Sequence, residues 1–443
     1  MLIRRLIDGH DPKYGVGSMT CSIYDTAWVS MVAKTKDGHT RWLFPPSFQY
    51  LLDHQQHDGG WQHRSTDSDG ILNTLAALLA ICKHITQPCQ MREGLEDLKQ
   101  RKSRAVYFLE TKFSDFSVES LAMNPGSPVR IAKLLQGLQR IGIEFSFDGK
   151  EVFLKAHGSK EPISERDSLY SDKSAKIKSS LEAHVGEVDF DRFAQQKVFG
   201  SIMASPASTA AYLMNCSIWD DEAEAYLSHI VSIGDGKAQG GVPTRFPTTV
   251  FEITSVLTTL LDSGFIYRDL GTKTLNNAAM FLDNCLQLGS GVTGFAPYVE
   301  PDADNTAKAI STLCLLGHTV SPQGLIIRHE AREYFKTYTQ DRTPSFVTNC
   351  RVLKALLDLL PANSEQMPQV EKIVKFLCNY WWTTNGDIED PSVCRESAEG
   401  MLQADVPLRT HQPIIPLCSW PGLLCDCSIC GNADMFPFQK TQR

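Results

Sequence analysis

Ile71-Leu-Asn-Thr-Leu-Ala-Ala-Leu-Leu-Ala-Ile-Cys82 decides the fold class. Its apolar residues Ile71, Leu72, Leu75, Leu78, Leu79 and Ala80 recur at three- and four-residue intervals, so they share one face of a helix. Val250, Ile253, Leu257, Leu260 and Leu261 repeat the pattern, and further helical runs cover Lys308–Leu316, Arg351–Leu360 and Gln369–Tyr380. Alternation of period two is confined to Ile143–Phe147, before the Asp148-Gly149 turn, and one short strand is expected there. Glycine loops separate the helical runs: Asp58–Trp61, Phe199–Ile202, Gly291–Phe295 and Trp381–Asp387. Their spacing is irregular, but the pattern is that of stacked helix hairpins, as in an α/α barrel. The expected class is all-α.

The chain has 443 residues, with 43 Lys+Arg against 51 Asp+Glu, a net charge of −8. At 42% hydrophobic and 21% charged, the composition is globular and excludes disordered, collagen-like and coiled-coil chains. An acidic balance without a Lys/Arg run argues against binding nucleic acid or an anionic membrane surface. No apolar stretch follows the early basic residues Arg4 and Arg5, so no secretory signal is expected. The segment 71–82 is interrupted by Asn73 and Thr74 and is too short to span a bilayer. A cytoplasmic protein with no transmembrane segment is expected, its oligomeric state open.

Eight of the 13 cysteines are widely spaced over residues 1–390, mostly in apolar helical runs, where a thiol acts as a small buried hydrophobe. Cys394, Cys418, Cys425, Cys427 and Cys430 crowd the last 53 residues. They do not form the paired C-x2-C arrangement of a zinc site, and no His follows in place. The polar stretch His157–Lys178 reads as a connector.

The chemically suggestive segment is Glu300-Pro-Asp-Ala-Asp-Asn-Thr-Ala-Lys308. Pro301 and the Asp/Asn/Thr cluster open a helix, so Asp302 or its neighbour would cap the first turn. Asp302 and Asp304 stand two residues apart at the positive end of that helix, which stabilises a carboxylate and so strengthens the acid. Close carboxylates do not both ionise easily, so one can hold a proton while the other is charged. That suits protonation of a very weak base such as a carbon–carbon double bond. On spacing alone, an N-cap with a solvated acidic turn accounts for the same residues.

Pro301–Ile310 resembles the DxDDTA motif of class II terpene cyclases, the family that includes copalyl diphosphate synthases and squalene–hopene cyclases. Four further blocks match in order. Ser22-Ile-Tyr-Asp-Thr-Ala-Trp-Val29 resembles the SxYDTAWV motif, and His54–Trp61 the QW-type loop. Phe199–Ala210 resembles the GSxxxSPASTA block, and Gly240–Pro247 with Val250-Phe-Glu252 the GGVPxxxPxxxFE block. The resemblance covers residues 1–390 and is to the N-terminal half of fungal bifunctional copalyl diphosphate/kaurene synthases. It implies a γβ didomain of two α/α barrels: 1–40 as the N-terminal segment of β, 41–240 as an inserted γ domain, 241–390 as the remainder of β, and 391–443 as a tail unlike the family.

The resemblance further implies protonation-initiated cyclisation of geranylgeranyl diphosphate to a copalyl-type bicyclic diphosphate, with Asp304 as general acid beside Asp302. Asn349 sits where the family places a residue that hydrogen-bonds the acid, although it also reads as a helix N-cap. A carbocation needs a dry aromatic pocket; candidate walls are Tyr24, Trp28, Phe295, Tyr298, Trp381 and Trp382. Mg2+ would bridge the substrate diphosphate, with Glu119 as candidate ligand and Lys173 and Lys176 as candidate diphosphate contacts.

The chain departs from the family at several points. Asn305 replaces the third Asp of the motif, so reduced or redirected activity is expected. Ser179 and Thr244 stand where plant relatives carry the His–Asn pair that assists deprotonation. Asp220-Asp-Glu-Ala-Glu224 spells a class I metal motif but reads as a helix cap, and no NDxxSxxxE follows, so no class I α domain is expected. After Asp390 the helical periodicity fades and six of the 22 prolines appear, so residues 391–443 look like a translated intron or a shifted frame and leave the second barrel incomplete. The competing expectation is a truncated, catalytically incompetent relative that binds only prenyl diphosphate or a partner chain.

Overall fold

The computed structural model describes residues 6–7, 11, 13–61, 67–87, 89, 94–114, 127–157, 170, 180–233, 239–265, 267–341, 343–359 and 364–383. Among these residues, eight helices build a first core: α1 (Ile23–Ser30), α2 (Pro45–Asp53), α3 (Asp67–Thr86), α4 (Leu95–Ser114), α5 (Ser127–Arg140), α6 (Lys150–His157), α7 (Pro206–Asn215) and α8 (Asp221–Ile233). Seven more carry a second: α9 (Thr249–Asp262), α10 (Tyr267–Leu270), α11 (Thr272–Leu288), α12 (Ala303–Leu315), α13 (Gln323–His329), α14 (Phe346–Asp358) and α15 (Met367–Thr383). The chain is mostly helical, as its periodicity predicts. Among the described residues no helix is long and apolar enough to cross a membrane.

The 71–82 stripe lies within α3, where Leu75, Ala76, Ala77 and Leu78 are fully buried. Burial extends round the helix because α3 is packed by α1, α4 and α5. α1 is buried along its whole length, and Ser22 caps it by accepting from the Asp25 N–H at 3.2 Å. The packing divides the N-terminal segment. Ile7 joins the second core, whereas Tyr14 to Val32 belong to the first, because α2, α3 and α7 supply the apolar surface that α1 needs. The assignment of all of 1–40 to the second barrel therefore does not follow the contacts.

The strand expected at Ile143–Phe147 does not form. The Ile143 N–H donates to the Leu138 carbonyl at 3.0 Å, closing α5, and Phe145 and Phe147 both pack on Phe113. The alternation there serves aromatic packing rather than a ladder. A hairpin lies elsewhere: of the four strands among the described residues, β1 (Cys21–Ser22), β2 (Ala33–Lys36), β3 (His39–Trp42) and β4 (Val242–Pro243), β2 and β3 are joined by Asp37-Gly38. Both turn residues have positive φ (52° and 75°), as a two-residue type I′ turn requires.

The two cores meet along a polar seam. On the first core's side, β1 pairs antiparallel with β4 and the Tyr226 hydroxyl donates to the Phe246 carbonyl at 2.6 Å. Residues before β1 cross onto the start of α9, where Glu252 accepts from the Ser18 N–H at 2.8 Å, from the Ser18 hydroxyl at 2.7 and 2.8 Å, and from the Thr248 hydroxyl at 3.1 Å. Glu252→Ala leaves these donors without their acceptor and should lower unfolding free energy by about 2 kcal/mol. Urea denaturation checks this; a change within about 0.5 kcal/mol, the scatter of ordinary surface substitutions, would show that the strap does not hold the seam.

Candidate active site

α12 starts inside the protein, which sets the chemistry of its first turn. Asp302 is the N-cap, in extended backbone conformation and 1% exposed. Its Oδ1 accepts from the Asn305 N–H at 2.7 Å, and the Asn305 Nδ2 donates to Oδ1 and Oδ2 at 3.1 and 2.9 Å. Neighbouring backbone is satisfied as well: the Asp302 N–H donates to the Thr293 carbonyl at 3.2 Å and the Ala303 N–H to the Thr337 carbonyl at 2.9 Å. Burial pushes the Asp302 carboxyl up to about 7, with the negative charge of Asp304 adding to the rise and the Asn305 hydrogen bonds and Lys308 working against it.

Asp304, one position into the helix, meets two cations. The Arg351 guanidinium, from α14, donates to its Oδ1, and the Lys308 Nζ lies 4.0 Å from its Oδ2. Lys308 is steadied by the Ser255 hydroxyl at 3.1 Å and lies 4.6 Å above the Phe251 ring. Burial raises the Asp304 carboxyl, but Arg351 and then Lys308 outweigh it and hold it below the ordinary Asp value. The cations suffice for this, since one unit charge at about 4 Å contributes about 4 kcal/mol near a protein surface. Burial thus favours the proton on Asp302, while Arg351 and Lys308 favour the carboxylate of Asp304.

Asn349 does not touch the acid. It is fully buried; its Oδ1 accepts from the Phe335 N–H at 2.8 Å, and its Nδ2 donates to the carbonyls of Phe335 and Ser345 at 2.9 and 2.8 Å. All three bonds tie the loop before α14 to that helix. The cap of α14 is Ser345 rather than Asn349, accepting from the Thr348 N–H at 3.1 Å. Arg351 lies two positions further along, roughly 200° round the helix, and reaches Asp304 from there.

A chain of buried charges runs from this pair towards the first core. Tyr24 donates to Glu182 Oε1 at 3.0 Å and Ser208 to Glu182 Oε2 at 2.7 Å, while the Arg130 guanidinium sits 5.2 Å above the Tyr24 ring and 3.5 Å from Glu182. Burial raises the Tyr24 hydroxyl well above its ordinary value, and burial lifts Asp25 to about 6. Arg245 is held below its usual value by burial and by Arg130, and is supported by Asp25, Glu182 and Tyr338; burial and then Asp302 raise Tyr338. Tyr24 is thus part of a polar cluster, not a plain aromatic wall. Arg130, Glu182, Arg245, Lys308, Tyr338 and Arg351 are the site residues that sequence reasoning missed.

The other candidates are not brought to the acid pair. Trp28 is buried in the first core, and its Nε1 has no hydrogen-bond partner among the described residues. Tyr298 is 59% exposed and packs edge-on against Phe199 at 5.8 Å. Phe295 lies on the small cluster Ala204, Ala296 and Val299, and Trp381 packs against Phe346 at the end of α15. Lys173, Lys176, Glu119, Ser179, the Trp382 side chain and residues 391–443 lie outside the described residues. Among the described residues no group of three or more His, Cys, Asp or Glu side chains could hold a metal ion. Asp220 is a cap: its Oδ1 accepts from the Glu222 and Ala223 N–H groups at 3.1 Å, and its Oδ2 from Lys197 and from Tyr212 at 2.8 Å.

No protein-family model matches the chain. It is 42% identical over 392 residues to a phyllocladan-16-alpha-ol synthase of Phomopsis amygdali, spanning 88% of this chain and 39% of that protein. To a copalyl diphosphate synthase of Talaromyces verruculosus it is 39% identical over 391 residues, spanning 88% and 40%. The chain thus spans about two fifths of the length of the curated relatives it matches. Among solved structures, it superimposes with TM-score 0.65 and 21% identity on the ent-copalyl diphosphate synthase of Arabidopsis thaliana in complex with (S)-15-aza-14,15-dihydrogeranylgeranyl thiolodiphosphate, covering 92% of this chain and 56% of that one. That likeness speaks for the fold, a helical didomain.

The charge states have a stability consequence. Asp302 binds its proton more tightly folded than unfolded, so its contribution to stability falls as pH rises from about 4 to about 7, by about 1.4 kcal/mol for each pH unit in that window. Asp25 acts in the same direction up to about 6. In denaturation midpoints measured across this window, Asp302→Asn should flatten the decline and leave a residual slope that ends near pH 6; a slope equal to that of the wild type would contradict the assignment.

Proposed function

The chain is a homologue of fungal diterpene cyclases, and on that premise we propose that it is a class II diterpene cyclase, converting geranylgeranyl diphosphate to a copalyl-type bicyclic diphosphate by protonating the terminal alkene. The observation that carries the reading is the pair of buried carboxyls at the head of α12, Asp302 as its cap and Asp304 facing Arg351 and Lys308, so that burial favours the proton on the first and the cations favour the carboxylate of the second. An alkene is so weak a base that its proton donor must be a strong acid. Arg351 and Lys308 make a protonated Asp304 such an acid, because they favour its carboxylate once the proton has left. Asp302 keeps a proton within the same turn at the pH where Asp304 alone would be empty. Asp302 is therefore the store and Asp304 the donor, and Asn305 orients the store through three hydrogen bonds without adding charge.

Cyclisation then proceeds through carbocations and ends in loss of a proton, leaving the diphosphate intact. Tyr24 and the Arg130 guanidinium over its ring, with Arg245, line the charged route between the cores. The analogue in the Arabidopsis structure, a geranylgeranyl thiolodiphosphate, supports a substrate of this class. A second reading, a catalytically incompetent relative that only binds prenyl diphosphate or a partner chain, is favoured by the Arg351–Asp304 ion pair and by Asn305 in place of the motif's third Asp.

Incubating the chain with geranylgeranyl diphosphate and Mg2+, followed by dephosphorylation, separates the two. The cyclase yields a bicyclic alcohol, lost by at least about a hundredfold in Asp304→Asn, the lower end of what a general acid contributes. Geranylgeraniol alone supports the binding-only reading. Asn305→Asp should raise turnover; unchanged turnover would show that the third carboxylate is not what limits this site.

A further inference from the structure

The two oxygens of Asp304 are held differently. Oδ1 is engaged by the Arg351 guanidinium. Oδ2 accepts no hydrogen bond among the described residues, and the Lys308 ammonium stands 4.0 Å from it. The atom is not sealed in. The Asp304 side chain keeps 15% of its surface open. Asn305 Oδ1, in the same turn, is buried without a partner, and Asp304 Oδ2 is not among such atoms.

A lysine four residues after an aspartate lies on the same helix face and can close on it, and such a charge-assisted bond is about 2.7–2.9 Å long. Lys308 stops short because α9 holds it. Its Nζ donates to the Ser255 hydroxyl at 3.1 Å and lies 4.6 Å from the centre of the Phe251 ring. Phe251 and Ser255 are one turn apart, so they present a ring and a hydroxyl on one face of α9. That helix start is itself anchored. The Phe251 N–H donates to the Phe295 carbonyl at 3.1 Å, and the next residue, Glu252, is the acceptor for Ser18 and Thr248. Lys308 is 7% exposed, so ring and hydroxyl take the place of water around the ammonium.

The separation matters for proton delivery. A hydrogen bond from Lys308 to Oδ2 would have to break before that oxygen could take up or pass on a proton. At 4.0 Å the ammonium still stabilises the carboxylate left behind without occupying the atom. The other titratable groups whose charge bears on Asp304 are Asp302 on its own helix, Arg351 from α14 and Tyr338 from the loop before α14, whereas α9 meets Lys308 with the neutral Phe251 and Ser255.

We propose that Phe251 and Ser255 are positioning residues that hold Lys308 off Asp304 Oδ2 and so keep this oxygen as the one that delivers the proton. The inference rests on the cyclase reading. In the transfer the Oδ2–H bond breaks as the alkene π pair forms the new C–H bond, leaving a tertiary carbocation and the Asp304 carboxylate, which Lys308 and Arg351 stabilise.

Crystal structures and turnover of full-length Ser255→Ala and Phe251→Leu test this, with Ser255→Ala repeated in a Lys308→Met background. In Ser255→Ala, Nζ should close on Oδ2 to hydrogen-bonding distance. Turnover of geranylgeranyl diphosphate should fall about tenfold or more, the worth of one hydrogen bond to a charged group, with KM unchanged. Phe251→Leu should act in the same direction. In Lys308→Met, adding Ser255→Ala should change turnover by less than about twofold, because the two substitutions act on one interaction. A wild type that yields no bicyclic product removes the cyclase reading and the delivery role with it. A Nζ–Oδ2 distance still near 4.0 Å in Ser255→Ala, or a turnover loss that persists in full in Lys308→Met, overturns the proposal alone.

Discussion

A carboxyl buried at the head of a buried helix is the constraint on which the rest of the structure turns. α12 is enclosed by α9 and α14, and its first ten residues are buried except Asp304. A helix start in such a place leaves backbone N–H groups that water cannot reach. Asp302 and the loop carbonyls of Thr293 and Thr337 answer that need. The carboxyl that caps the helix is thereby taken out of water, and burial is what lets it hold a proton near neutral pH. Helix formation and acid chemistry share one side chain.

The same reasoning explains the cations. A second carboxylate beside the first would be costly without compensation, and Arg351 and Lys308 supply it from a neighbouring helix and from the next turn. The seam repeats this logic at larger scale. Within the first core Glu182 is satisfied by Tyr24, Ser208 and Arg130, and at the seam Glu252 is satisfied by Ser18 and Thr248.

How much of this is legible in the chain follows from the range of each interaction. The helices of both cores can be read from local periodicity, as the 71–82 stripe within α3 illustrates. The Asp302–Asp304 turn can be read too, because capping and proximity act within four residues. Asp37-Gly38 carries a hairpin signal that its polar flanking strands mask. Partners across the fold are not legible. Asn349 and Arg351 are two residues apart on α14, and nothing local says which meets Asp304; that depends on the rotation at which α14 packs on α12. The resemblance points to the amide, whereas the geometry selects the guanidinium, since the amide is needed by the Phe335 loop. Arg245 and Glu182 are equally invisible, being 63 residues apart in sequence and brought together only by the seam.

The division of charge within the acid pair is the central claim, and carboxyl carbon NMR of the aspartate-labelled chain measures it directly. One resonance should titrate near pH 7 and vanish in Asp302→Asn, while another stays ionised to below the usual Asp value and vanishes in Asp304→Asn. If both carboxyls ionise together at ordinary acid pH, or if the near-neutral resonance is the one that Asp304→Asn removes, the account of the site is wrong.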